Sequence, residues 1–201
     1  MSVTREKILR EAFNLFLQST YSEVSLNDIV KKVGLTKGAF YHHFKSKEEL
    51  FTELIEKFII AGQDNVYDGI PRDNLKGFML SYIDRIAQYI DKIKTEIDDI
   101  NAKRGIYFFS ILFDALRQID TFGGRVMEMH ASEKSIWTEV ISNAKKSGEV
   151  TSNISDSHLA RLFINVNDGV GMHLMLEGRY DDIPGEIYTA WNGLYNMIKT
   201  R

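Results

Sequence analysis

The stretch GLTKGAFYHHFKSKEEL, residues 34–50, sets lysines, a tyrosine and two adjacent histidines on barely two helical turns. A helix that short buries little, so its outward residues are available to bind something else. At 100° per residue, Phe40 and Phe44 share one face, while Gly38 and His42 fall opposite, flanked by Ala39 and Tyr41. Gly38 and Ala39 lack bulk, which would let the helix approach base edges closely. Lys37, at the amino end, could reach a guanine edge or a phosphate. Tyr41 and His42 could donate to phosphates, as could Lys47 and the free amides at the start of the next helix. His43 lies nearer the inner flank. The chemistry on offer is that of a helix reading duplex DNA.

Positioning those residues requires a scaffold, and apolar residues recur at helical spacing almost everywhere, with no alternating run long enough for a strand. Residues 4–18 form a first helix with Ile8, Leu9, Ala12, Phe13 and Phe16 on one stripe. Ser25 and Asp28 open a short second helix as a capping box. Gly34 breaks the chain, and Thr36 caps a third helix over 36–43. Two short helices around a glycine turn, the second exposing small and basic residues, describe a helix-turn-helix. Ser46 and Glu49 cap a fourth helix running to about 66. Further helices are expected over 73–94, 103–119, 125–146, 155–177 and from Pro184 onward, with "DTFGGR" read as a turn and 103–119 as a central, buried helix. The fold expected is all-α, with about nine helices and the short ones first.

Composition agrees with a folded chain. Its 201 residues are 44% hydrophobic and 11% aromatic, with no cysteine, which excludes a disulfide framework and thiolate metal sites. MSVTREKILREAF has no signal-like apolar run, and no stretch nears the ~18 apolar residues of a membrane span, so a soluble, cytoplasmic protein is expected. The net charge of -3 conceals an asymmetry. Residues 1–47 carry eight Lys/Arg (Arg5, Lys7, Arg10, Lys31, Lys32, Lys37, Lys45, Lys47) against four acids, a balance of +4 that leaves -7 for the rest. A basic head on an acidic body is drawn to a polyanion by one end.

The segment SLNDIVKKVGLTKGAFYHHFKSKEELF, residues 25–51, resembles the DNA-binding signature of TetR/AcrR-type transcriptional regulators, and REKILREAFNLFLQSTYSEVS fits the same pattern over about the first 55 residues. The resemblance implies a helix-turn-helix head (1–47) and a helical ligand-binding and dimerisation domain (48–201) entered through a linking helix (46–66). It implies a homodimer joined through its last two helices, a double-stranded DNA operator as partner, and a small-molecule inducer that releases a repressor. Carried onto matching positions, Ser25, Thr36, Lys37, Gly38, Ala39, Tyr41, His42 and Lys47 would contact DNA. Ala39 offers no hydrogen bond where other members carry a polar reader, so its contact would be apolar, to a thymine methyl.

Beyond about residue 70 the resemblance is one of length and helical order, and the ligand class does not carry over. Apolar cavities with a few polar groups make small-molecule sites, which nominates Tyr82, Phe109, Phe113, Met127, His130, Trp137, Asn165 and His173. Each taken singly also suits a core or surface position. His173 and Glu177 are four apart, but no third metal ligand follows at helical spacing. "DGVG" (168–171) lacks the Gly-Lys-Ser/Thr end of a phosphate loop. No nucleophile–base pair, cofactor motif or metal set is visible, so no enzyme activity and no cofactor are expected. A regulator governed by a protein partner, or a helical enzyme or carrier, stays open as an alternative.

Overall fold

A computed structural model describes residues 3–61, 66–96 and 102–200. The described residues are mostly helical. Among the described residues lie nine α-helices: α1 (Val3–Phe16), α2 (Leu26–Val33), α3 (Lys37–Tyr41), α4 (Lys47–Ile55), α5 (Leu75–Glu96), α6 (Ala102–Gln118), α7 (Phe122–Lys146), α8 (Asp156–Glu177) and α9 (Ile183–Ile198). Their only sheet-like pairing is one bridge between Val150 and Lys199. No helix among the described residues is long and apolar enough to cross a membrane.

Contacts divide the chain into two compact units. The first comprises Met1–Gln63, Lys92–Gly123 and Leu176–Gly178; the second comprises Asp64–Asp91, Gly124–Met175 and Arg179–Arg201.

In the first unit the predicted stripe of α1 is wholly buried, together with Ile29, Val30 and Val33 of α2, Phe40 and Phe44, and Leu50, Phe51, Leu54 and Ile55 of α4. Phe13 stacks on Phe58 at 4.5 Å, and Phe51 meets Phe16 edge-on at 5.2 Å and Tyr21 at 4.6 Å. Burying side chains of this size contributes about 1.5–3 kcal/mol each, enough to hold helices too short to stand alone. Gly34 ends α2 in the left-handed region at φ +78°, where its N–H and that of Leu35 return to Lys31 and Val30 carbonyls. That reversal aims α3.

The second unit is built on aromatic rings. Trp137 contacts Phe78 (4.9 Å), Phe163 (5.4 Å) and Trp191 (4.8 Å), and Tyr82 meets Trp191 at 5.1 Å. Both indole N–H groups are satisfied: Trp191 donates to the Phe163 carbonyl at 2.8 Å, Trp137 to the Tyr67 hydroxyl at 3.1 Å. Glu149 caps α5 by accepting from the Leu75 and Lys76 amides at 2.8 and 2.9 Å, a favourable anion at a helix start.

Three expectations shift. The fourth helix does not run unbroken to 66: it is α-helical to Ile55 and widens into a π-turn over Glu56–Ile60, and residues 62–65 of the expected span lie outside the described residues. "DTFGGR" is not all turn, because buried Phe122 (3% exposed) anchors the first turn of α7 and carries Gly123 and Gly124 into the helix. Packing there outweighs a propensity cost of about 1 kcal/mol per glycine. α6 is not sealed: Ile111 and Ala115 are buried, while Phe113 and Leu116 are 58% and 51% exposed.

Gly34→Ala tests the turn. A Cβ there would meet nothing within 4 Å, so the cost is conformational, about 1–2 kcal/mol, and is read as a lower urea midpoint at unchanged m-value.

Candidate nucleic-acid interface

Local capping fixes the two helices of the motif. The Ser25 hydroxyl accepts from the Asp28 amide at 3.2 Å and donates to the Asp28 carboxylate at 2.5 Å, and that carboxylate also accepts from the Ser25 amide at 2.8 Å. These bonds hold the Asp28 carboxyl below its ordinary value. The Ser25 side chain is therefore engaged on both sides. Thr36 Oγ1 accepts from the Ala39 amide at 3.2 Å, leaving its own proton free to donate outward.

α3 turns Phe40 fully inward, with Phe44 beside it just past the helix end. Thr36, Lys37, Gly38 and His42 are exposed, Tyr41 is 53% exposed, and Ala39 is half-buried. His42 caps the carboxyl end, so the helix is shorter than the 36–43 expected. His43 lies on the inner flank, half-buried, and its carbonyl accepts from Arg5. One outward face thus carries an ammonium, a phenol, an imidazole and a bare backbone at Gly38, where an added Cβ would touch only Thr36 Oγ1, at 3.9 Å.

The positive charge of the head is divided. Arg5 forks onto the Glu53 carboxylate and lies over the Phe44 ring at 4.1 Å; Lys57 pairs with Glu6; Lys7 donates to the Val33 carbonyl at 3.0 Å. Exposed Lys31, Lys32, Lys37 and Lys45 enter no ion pair among the described residues. Their charge stands open to solvent.

Lys47, expected to contact a phosphate, also braces the backbone. Its ammonium donates to the Tyr21 and Val24 carbonyls at 2.8 and 2.9 Å and lies 3.9 Å from the Tyr21 ring centre. Two of its three donors are thereby committed, and burial draws its pKa down against the pull of Glu48 and Asp114. Buried Asp114, on α6, accepts from the Tyr21 amide at 2.9 Å, and the Tyr21 hydroxyl donates to Glu48 at 3.1 Å. Burial and that bond push the Tyr21 phenol up. The sequence gives no sign of the Tyr21–Asp114 link, which joins residues 93 positions apart.

The eight nominated pocket residues separate. Phe109 and Phe113 lie in the first unit; the other six lie in the second. There Tyr82 and Trp137 are core residues with ring centres 6.3 Å apart. Met127, His130, Asn165 and His173 are exposed. Polar residues not nominated for a pocket, Tyr67, Glu133, Asn167 and Asp168, are instead what Tyr82 and Trp137 connect to. Among the described residues no three His, Asp or Glu side chains gather as metal ligands would.

Comparison with known proteins places this geometry. Residues 8–54 match the family described as bacterial regulatory proteins, tetR family. A stretch of 53 residues, 26% of the chain, is 49% identical to 25% of the HTH-type transcriptional regulator AcrR of Shigella flexneri. A stretch of 100 residues, 46% of the chain, is 26% identical to 52% of IcaR, the HTH-type negative transcriptional regulator of the biofilm operon icaADBC in Staphylococcus epidermidis. The chain thus spans a quarter and about half of these relatives' lengths. Over 98% of the chain, the fold is similar to that of reduced NemR of E. coli (99% of that chain, TM-score 0.64, 18% identity). It is also similar to NalD, the secondary repressor of the MexAB-OprM multidrug efflux pump in Pseudomonas aeruginosa (95% of that chain, TM-score 0.63, 17% identity).

Lys47→Met tests the staple. It strands two carbonyls, so unfolding free energy is expected to drop by about 1–3 kcal/mol in urea titration, whereas Lys37→Ala leaves the transition where it was.

Proposed function

We propose that this chain, whose residues 8–54 belong to the tetR family of bacterial regulatory proteins, is a homodimeric, cytoplasmic transcriptional repressor released from a palindromic operator by a small molecule. The observation that carries the reading is the outward face of α3: Lys37, Gly38, Tyr41 and His42 stand open while Phe40 and Phe44 are locked behind them. A DNA-binding domain of residues 1–47 then precedes a body of residues 48–201, with 46–66 linking them.

In the complex, α3 lies in the major groove. Gly38 allows close approach, Lys37 reaches a guanine edge or phosphate, and Ala39 meets a thymine methyl. Tyr41, His42 and the Thr36 hydroxyl hold phosphates. Ser25 acts through the helix start it caps, and Lys47 through its one uncommitted donor. Lys31, Lys32 and Lys45 add sequence-independent attraction. That IcaR is named a negative regulator and NalD a repressor supports the sign of control.

Pairing through α8 and α9 is supported by their outer faces. Gly169, Gly171, Gly185 and Gly193 have open space where a Cβ would stand, although glycine inside a helix costs about 1 kcal/mol against alanine. Met172 and Met197 are 45% and 74% exposed on the same two helices. A second copy laid against these faces would use the close approach and cover the methionines. A twofold dimer would present two α3 helices to half-sites about 34–36 Å apart.

Fluorescence anisotropy on the operator found by footprinting tests the head. Lys37→Ala is expected to weaken binding and flatten the salt dependence by about one phosphate equivalent; Gly38→Ala keeps the melting temperature and loses affinity. Retention of full affinity by both removes α3 from the interface. Gly193→Arg is expected to sediment as a monomer; an unchanged dimer places the interface elsewhere.

A further inference from the structure

Helix α1 holds the far ends of both helices of the motif. Lys7 Nζ donates to the Val33 carbonyl at 3.0 Å, where α2 stops. Two residues earlier, Arg5 Nη1 donates to the His43 carbonyl just past α3. The same guanidinium forks onto Glu53 of α4, with Nε 3.0 Å from Oε1 and Nη2 on Oε2. It also lies 4.1 Å from the centre of the Phe44 ring, and Phe44 in turn lies 5.7 Å from Phe40, the buried residue of α3. One planar group thus ties three pieces of the head together: α1, the turn between α3 and α4, and α4 itself.

All three nitrogens of Arg5 are committed inside the head, and the Arg5 and Glu53 side chains are only 24% and 25% exposed. A cation matched to its own carboxylate adds little to the field that a polyanion meets. Arg5 therefore acts on DNA binding through geometry. α3 has five residues and cannot fix its own direction. Base edges would be read from Lys37, Gly38 and Ala39, and groups that read must be held within about 0.5 Å of their marks. The attraction from exposed Lys31, Lys32 and Lys45 rests on long side chains and tolerates a tilt. A lysine at position 5 would not serve, because an ammonium is a point charge without the rigid fork that aligns two acceptors.

We propose that Arg5, oriented by Glu53, is a specificity-determining positioning residue: it sets the tilt of α3, and so governs how well the operator is told from other DNA while touching none of it. The inference rests on the reading that α3 enters the major groove, and deepens it. Removing an acid from a DNA-binding head would, by charge alone, strengthen its hold on every duplex. At Glu53 the opposite is expected on the operator, because Arg5 then loses its anchor while its charge is set free. That divergence separates positioning from electrostatics. Loss of folded protein differs from both, since it lowers binding to every duplex by one factor.

Titration of the full-length protein onto the footprinted operator and onto a scrambled duplex of equal length, over a series of salt concentrations, tests this. Arg5→Lys, which keeps the charge, is expected to lose at least about tenfold on the operator, the scale of one mismatched base pair. It should hold the scrambled duplex as the parent does, with the same salt slope. Glu53→Gln is expected to weaken the operator likewise and to tighten the scrambled duplex. Unchanged operator affinity in both variants, or both duplexes weakened by one factor, overturns the proposal. So does a salt slope lower by about one in Arg5→Ala, which would make Arg5 a phosphate contact. If Arg5→Lys unfolds below the assay temperature, the near-isosteric Glu53→Gln decides. Lys37→Ala in the same titrations keeps the two readings apart. Its loss of affinity beside unchanged Arg5→Lys and Glu53→Gln sinks the positioning alone; unchanged binding in all three removes α3 from the groove as well.

Discussion

A helix of five residues cannot hold its own shape in water, because the first turns fix many torsions for few hydrogen bonds. α3 exists only because others hold it. Phe40 and Phe44 pin it from behind, Thr36 supplies its missing acceptor, and Arg5 clasps the carbonyl of His43 just beyond its end. Once the inner face is occupied by rings, the outward direction of Lys37, Gly38, Tyr41 and His42 has no alternative. The open face of α3 is a by-product of burial on the opposite side.

The same economy governs the charges. A count of basic residues over the first 47 positions treats them alike, but the folded head sorts them into two populations. Arg5, Lys7 and Lys47 spend their donors on Glu53, on the Val33 carbonyl at the end of α2, and on carbonyls in the turn between α1 and α2. Part-buried acceptors left without a donor carry a cost approaching that of a lost hydrogen bond. Lys31, Lys32, Lys37 and Lys45 project into solvent. The head is therefore both cemented and charged by its basic side chains, the difference being set by geometry alone.

How much was legible follows from the range over which each signal acts. The Ser25–Asp28 box, the Gly34 reversal and the α1 stripe depend on residues within a turn or two of one another, and all three appear in the folded head where the spacing puts them. The all-helical class follows for the same reason. What the sequence could not carry was distance. Asp114 reaching the Tyr21 amide, and Glu133 meeting the Tyr67 hydroxyl, join residues 93 and 66 positions apart, and no local pattern marks either partner. Lys47 was read by its type as a phosphate ligand, and only the fold reveals the carbonyls it serves. Choosing aromatic and Met residues for a pocket likewise picked two core rings, Tyr82 and Trp137, and did not mark the polar residues they bond to.

The π-turn at Glu56–Ile60 has a practical consequence. Through α4 and the π-turn after it the row Leu50, Leu54, Phe58 repeats every fourth residue, and a 3.6-residue helix lets such a row slip about 40° per step. The wide turn, closed by the Ala61 amide on the Glu56 carbonyl, absorbs the slip, and Phe58 stays buried against Phe13. A chimera that grafts this head onto a foreign body must therefore be spliced after residue 60 and not at 55. A cut before the bulge would deliver the recipient helix out of phase with its own apolar side.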